Sequence, residues 1–329
     1  MNKFLKDLEK ELQKLNVNPK EIREILEDHK EMIEAAKQEG LNEDEINKKF
    51  GDPTKVATEI SQDSKEKGSK INLEGVESVS KYDFDTFQLV TTFQLASDLE
   101  EISVKLINDD FILADHDEDY IQVYQENIKK IEEYEISLTD NKFILEKKSN
   151  KIFKKALNFN VKSGTFLVLM PKGITLEKFN YHTVNGEVSA NQLATNKFDF
   201  KSTNGDIQFS NVNLGEAKLS MVNGDIEIQG FKASSLDVSL VNGDVELQKG
   251  IIDGDLHFNS VSGDTTLIDV EGNEATFKTV SGDLDGKNFY VKEISLKSVS
   301  GDVNVVNDDK TREIKVKNKK TLSGDININ

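Results

Sequence analysis

From residue 161 onward the chain alternates apolar and polar side chains in short runs. A polar trio closes each pair of runs, Asn-Gly-Glu or Asn-Gly-Asp at first and Ser-Gly-Asp later. The trio's glycines are Gly186, Gly205, Gly224, Gly243, Gly263, Gly282, Gly301 and Gly324, at steps of 19, 19, 19, 20, 19, 19 and 23 residues. So regular a step marks one small unit stacked many times. Two residues after each glycine stands Val188, Ile207, Ile226, Val245, Thr265, Leu284, Val303 or Ile326, often with a second apolar residue two further on. Upstream of the trio run the pairs Phe198 and Phe200, Ala217 and Leu219, Leu236 and Val238, Leu256 and Phe258, Ala275 and Phe277, Ile294 and Leu296. Alternate strand residues point the same way, so these positions predict stacked columns in one core. The residue two before each glycine (Val184, Thr203, Val222, Val241, Val261, Val280, Val299, Leu322) joins those core columns in the same reading.

Each element of the trio has a reason. Glycine permits the positive φ of a sharp corner. The preceding Asn or Ser, and the acids Asp206, Asp225, Asp244, Asp264, Asp283, Asp302 and Asp325 that follow, can each satisfy amides of their own corner. The predicted fold is mainly β, a parallel β-solenoid of ~19-residue coils, with right-handed crossovers as the default. Its regular coils cover 161–329.

Residues 71–160 alternate without the strict step. Phe87, Leu89, Phe93 and Leu95, then Ile102, Val104 and Leu106, then Tyr120–Tyr124 and Phe143–Leu145, read as strands. Acidic turns at Asn108-Asp109-Asp110 and Asp115–Asp119 separate them. This region predicts longer first coils that double as a cap, since terminal repeats are atypical. Residues 62–70 carry no large apolar side chain and read as a linker.

Residues 1–61 change period. Leu5, Leu8, Leu12 and Leu15 form one helical stripe; Ile22, Ile25, Leu26, Met32, Ile33 and Ala36 form another behind the Asn18-Pro19 start. Asn42 and Glu45 open a third helix with Ile46 and Phe50, and Gly51-Asp52-Pro53 restarts the chain toward Val56, Ala57 and Ile60. A small helical bundle follows.

Leu26-Glu27-Asp28-His29, the Glu39-Gly40-Leu41 turn and the run from Phe50 to Ile60 resemble the DUF1700/HAAS domain. That resemblance implies a cytoplasmic module that often precedes membrane segments. The Ser/Asn-Gly-Asp corners, with the Thr165–Gly173 lead-in through Pro171-Lys172-Gly173, resemble the DUF4097 family of β-helical "adhesin" domains over roughly 75–329. The pairing implies a role at the envelope of a low-GC Gram-positive cell.

Charge narrows the partners. With 60 acidic against 42 basic residues, the net charge of −18 argues against nucleic acid and against attraction to anionic lipid. The head holds 11 basic and 15 acidic residues, which leaves −14 outside it. Cysteine is absent, so disulfides and thiolate metal sites are excluded. No apolar run approaches a membrane span and no signal-peptide core follows Met1, so the sequence predicts a cytoplasmic protein, with surface association as the alternative.

The Asp column is the one candidate for chemistry. Stacked carboxylates chelate cations or act as acid/base pairs, yet an acid in every coil fits a turn device, and a catalytic centre would make one coil different. His116 among acids matches no calcium loop, and His29, His182 and His257 lie in unrelated positions. Tryptophan is absent and no arginine falls in the regular coils, which disfavours a carbohydrate-active enzyme. No catalytic residue, metal or cofactor is expected. The expected function is a non-catalytic scaffold with a docking head and an acidic solenoid that binds a protein or peptide. Capture of cationic peptides and a carbohydrate-active enzyme are the alternatives, and open coil ends invite homo-oligomers.

Overall fold

A computed structural model describes residues 3–15, 22–23, 25–27, 29–30, 33, 37, 52–58, 86–95, 98–126, 130–148 and 164–329. The chain divides into two compact units, a helical one at the N-terminus and a β unit whose main body is Leu95–Asn329.

The helical unit is built on the Lys3–Lys14 helix, which buries Phe4, Leu5, Leu8 and Leu12 along one face. Ile22, Ile33 and Ala57 complete that core, with Leu15, Ile25, Leu26 and Val56 packed against it. Asp52 starts the last helical turn at 53–58. Its Oδ1 accepts from the Thr54 N–H at 2.9 Å, and Pro53 takes the first helical position, where no N–H is needed. The predicted Asn18-Pro19 start, the third helix and the 62–70 linker lie outside the described residues.

The β unit is a two-sheet solenoid. Each regular coil lays one strand in each sheet, and neighbouring coils pair in parallel and in register. In the first sheet the column runs Ile207, Ile226, Val245, Thr265, Leu284, Val303, Ile326. In the second it runs Phe198, Ala217, Leu236, Leu256, Ala275, Ile294. Most of these side chains are buried, at a gain of roughly 1.5–3 kcal/mol for each large one. Aromatic rings fill the early coils. Tyr181 stacks on Phe200 at 5.2 Å, and Phe198 meets Phe179 at 5.4 Å and Phe209 at 5.5 Å.

One predicted core column is not in the core. Val184, Val222, Val241, Val261, Val280 and Val299 are 38% to 48% exposed, and Leu322 is 85% exposed. The reason is strand parity. Phe198, Phe200 and Ser202 point inward, so Thr203 and its equivalents face out. The inward place beside the corner goes to Thr183, Ser202, Met221, Leu240, Ser260 or Ser298, all buried. Three of the hydroxyls turn onto the corner's own carbonyl: Thr183 to Asn185 O at 3.1 Å, Ser202 to Asn204 O at 2.8 Å and Ser260 to Ser262 O at 3.4 Å. At Thr183, Ser202 and Ser260 the inward place therefore serves the backbone, and the valines are left outside.

The first coils also depart from sequence order. Glu101–Lys105 lies between Lys142–Lys147 and Lys178–His182 in one sheet. Asp110–His116 lies between Thr165–Pro171 and Val188–Asn191 in the other. The chain makes its second rung, doubles back to lay the first, then crosses to begin the third. Two antiparallel pairings belong to that end: Tyr134–Thr139 on Lys142–Lys147, and Tyr120–Glu126 on Thr165–Pro171. The cap is thus a reversal of direction, where the sequence predicts merely longer coils.

At the other end the strand Lys315–Lys320 is exposed throughout. Lys315 pairs with Glu293 at 2.9 Å, and Lys317 reaches both Glu274 and Glu293. These two lysines hold the Glu293 carboxyl down at about 2. Arg312 forks onto Glu271 at 2.9 and 3.1 Å and lies over the Tyr290 ring, clasping the long last connection to the coil below. Lysines along a terminal strand discourage edge-to-edge pairing.

Candidate functional site

The repeated corner brings every predicted site residue onto one edge of the stack. All eight glycines have φ between +116° and +140°. A Cβ at any of Gly205, Gly224, Gly243, Gly263, Gly282, Gly301 or Gly324 would overlap the carbonyl oxygen of the glycine one coil back; at Gly186 it would overlap Asp109 O. Backbone angle and coil spacing therefore both demand glycine there.

The acids do not cap their own corners. Asp206 Oδ1 accepts from the backbone N–H of Asp225 at 2.9 Å. Asp225 receives Asp244, Asp244 receives Asp264, and Asp264 receives Asp283, each at 2.8 Å. Asp283 receives Asp302 at 2.7 Å, and Asp302 receives Asp325 at 2.8 Å. The six carboxylates from Asp206 to Asp302 are staples between coils. The preceding amides do the same: Asn242 Nδ2 donates to Asn223 Oδ1 at 2.9 Å, Asn223 to Asn204 at 2.8 Å, Asn204 to Asn185 at 2.6 Å.

Both ladders begin earlier than the repeat shows. Asn185 donates to Asn108 at 2.6 Å, and the Glu187 N–H donates to Asp110 Oδ1 at 2.8 Å. Asn108-Asp109-Asp110 is therefore a corner of the same stack, with Asp109 in the glycine's place. Sequence reasoning took it for a plain acidic turn. The signal was the Asn and Asp flanking the wrong central residue.

Asp109 is the buried carboxyl of the described residues. It accepts from the Tyr134 hydroxyl at 2.7 Å and from the Gly164 N–H at 3.3 Å. Burial raises its pKa, against the lowering effect of Tyr134 and Lys147. The same burial, with Asp109 beside it, pushes the Tyr134 phenol far above its ordinary value. Lys147 Nζ bonds Tyr134 Oη at 3.0 Å and pairs with Glu133 at 2.9 Å. The cluster fastens the reversed rungs together.

The histidines sit apart. His116 Nε2 lies 2.6 Å from Tyr120 O, and burial lowers its pKa. Burial also lowers that of His182. His29 Nδ1 lies 2.7 Å from Ile25 O in the helical unit, and exposed His257 pairs in register with Asp237 and Thr276. Among the described residues no three His, Cys, Asp or Glu side chains converge as metal ligands. No described helix is long and apolar enough to cross a membrane.

The edge presents parallel stripes. Beside the Asp column run the Asn/Ser column and then the exposed valines. Val222, Val241 and Val261, with Met221, Leu240, Ser220, Ser239 and Asn259, line an open groove of about 450 Å³. Lys201, Lys278 and Lys297 stand in the same register column as Ser220, Ser239 and Asn259.

The Toastrack DUF4097 family matches residues 54–284 and 234–329, and the HAAS family matches residues 3–59. No curated protein matches the chain. Among solved structures, a "putative lipid binding protein" from Parabacteroides distasonis is similar at 16% identity and TM-score 0.47, covering 74% of this chain and 97% of that one. A "putative adhesin" from Bacteroides fragilis gives 17% identity and TM-score 0.41 with the same coverage. A "putative adhesin" from Parabacteroides merdae gives 12% and 0.40, again over 74% and 97%.

Proposed function

Because the chain belongs to the Toastrack DUF4097 family and carries a HAAS domain before its solenoid, we propose that it is a non-catalytic interaction scaffold working at the cell envelope. The helical head docks one partner, and the acidic outer face of the first sheet binds a second, a basic peptide or protein segment. The observation that carries this reading is the fixed line of exposed carboxylates, each tied at one oxygen to the next coil's amide. Glu227, Glu246 and Asp285 widen that line across the sheet's outer face. Held this way, the acids keep one spacing and lose little entropy on meeting a cationic ligand. The same observation supports capture of cationic peptides as a second reading.

The test is fluorescence anisotropy with a labelled lysine-rich peptide at several salt concentrations. Salt-sensitive binding that falls with Glu227→Gln and Glu246→Gln supports the reading. Absence of binding, or binding indifferent to salt, overturns the acidic-face assignment. Protease shaving of intact cells tests the envelope location, and complete protection of the chain would remove it.

A further inference from the structure

The exposed valines face water in a row, although strand parity alone would accept a polar residue at each outward place. Six of the eight coils carry valine there, and an apolar ridge of this length on a soluble surface marks an interface. What lies on its two flanks says what covers it. One flank is the column of Lys201, Ser220, Ser239, Asn259, Lys278 and Lys297; Lys201 pairs with Asp199 at 3.2 Å, while Lys278 and Lys297 are exposed and enter no ion pair among the described residues. The other flank, past the Asn/Ser column, is the exposed Asp column, likewise without a cation among the described residues. Within one molecule these opposite charges cannot meet, because the corner holds them on either side of the ridge.

We propose that the occupant is a second copy of this chain, related by a two-fold axis parallel to the stack. Such a rotation reverses the left-to-right order of the stripes and keeps every coil at its own height. Each valine then lies beside its own counterpart across the axis, and Lys278 and Lys297 of one copy face Asp283 and Asp302 of the other, with Ser220, Ser239 and Asn259 facing the acids between. The antiparallel alternative, with the axis perpendicular to the stack, sets lysines against lysines and acids against acids, which like-charge repulsion disfavours. The interface is isologous and closes at two copies. It covers the Asp column and leaves Glu227, Glu246 and Asp285 on the first sheet's outer face for a basic peptide, so the peptide test and the association test give separate answers.

The chain has no cysteine, so single-cysteine variants of the full protein read the geometry directly. Val184→Cys, Val241→Cys and Val299→Cys sample the start, middle and end of the ridge. Under mild oxidation each should give a disulfide-linked dimer, and the unmodified protein should sediment as a dimer at tens of micromolar. Val222→Asp combined with Val241→Asp should leave the far-ultraviolet spectrum unchanged and give monomers. Lys278→Glu should weaken association about tenfold at low salt. A monomer at every concentration overturns the proposal, as does cross-linking confined to Val241→Cys, the pattern of an antiparallel pair. A dimer whose three cysteine variants all fail to cross-link assigns the contact elsewhere and overturns it too.

Discussion

At the scale of single residues, the corner glycines and the Asp109 cluster make opposite demands. Gly243→Ala meets both a forbidden φ of +134° and the carbonyl of Gly224. We expect a loss of about 4 kcal/mol or more, read by chemical denaturation. Gly173→Ala is its control: φ is +77° with nothing within 4 Å of the new methyl, and the cost should be about 1 kcal/mol. Equal losses at the two sites would show that coil-to-coil contact is not what fixes glycine. Asp109 works in the other direction. Its pKa is raised in the folded state, so its favourable contribution is complete below the ordinary carboxylate value and disappears as pH rises through the folded one. Asp109→Asn keeps an acceptor for Tyr134 and Gly164 without the buried charge. It should raise stability near neutrality by about 1 kcal/mol and flatten the decline of Tm as pH rises above the ordinary carboxylate value. A lower Tm at pH 7 would contradict this. The corner glycines were legible from spacing alone. A second left-handed column, Gln192, Asn211, Gly230, Lys249, Asp269 and Asn288, was not, because six positions share a backbone shape and few share a side chain.

At the scale of the element, the acid ladder separates charge from hydrogen bonding. Asp244→Asn retains an Oδ1 acceptor for the Asp264 N–H, whereas Asp244→Ala removes it. We expect the Asn variant to unfold within a few tenths of a kcal/mol of the parent and the Ala variant to lose about 1 kcal/mol. Equal stability of the two would mean that the staple contributes nothing. Strand existence was readable in the regular coils because period-2 alternation is strong there. Its phase near the corner was misread, since valine at an outward place imitates a core residue and Ser202 or Thr183 at an inward one imitates a surface residue. The acids were read as caps of their own turns because a single coil gives no hint of its neighbour's amide.

At the scale of the whole molecule, each regular coil touches chiefly the coils above and below, so stability accumulates by repetition. Deleting residues 226–244 removes one full period and joins Asp225 to Val245. The shortened chain should fold with the same far-ultraviolet spectrum and one cooperative transition, only moderately less stable. Deleting 226–234 moves every later side chain off its column and should abolish cooperative unfolding. If the two deletions behaved alike, stacking in register would not be the organising principle. The periodic part of this architecture was legible as soon as five of the seven steps between its eight glycines came to 19 residues. The opening rungs were not, because no trio marks them and their order in space is not their order in sequence.

That reversed opening bears on how the chain is made. Once Thr165–Pro171 has settled between Asp110–His116 and Tyr120–Glu126, the far side of the first rung is covered, and the growing surface for residues that leave the ribosome later is on the side of Val188–Asn191. Each newly synthesised period then finds a finished template below it and empty space above, so biosynthesis and assembly advance in the same direction.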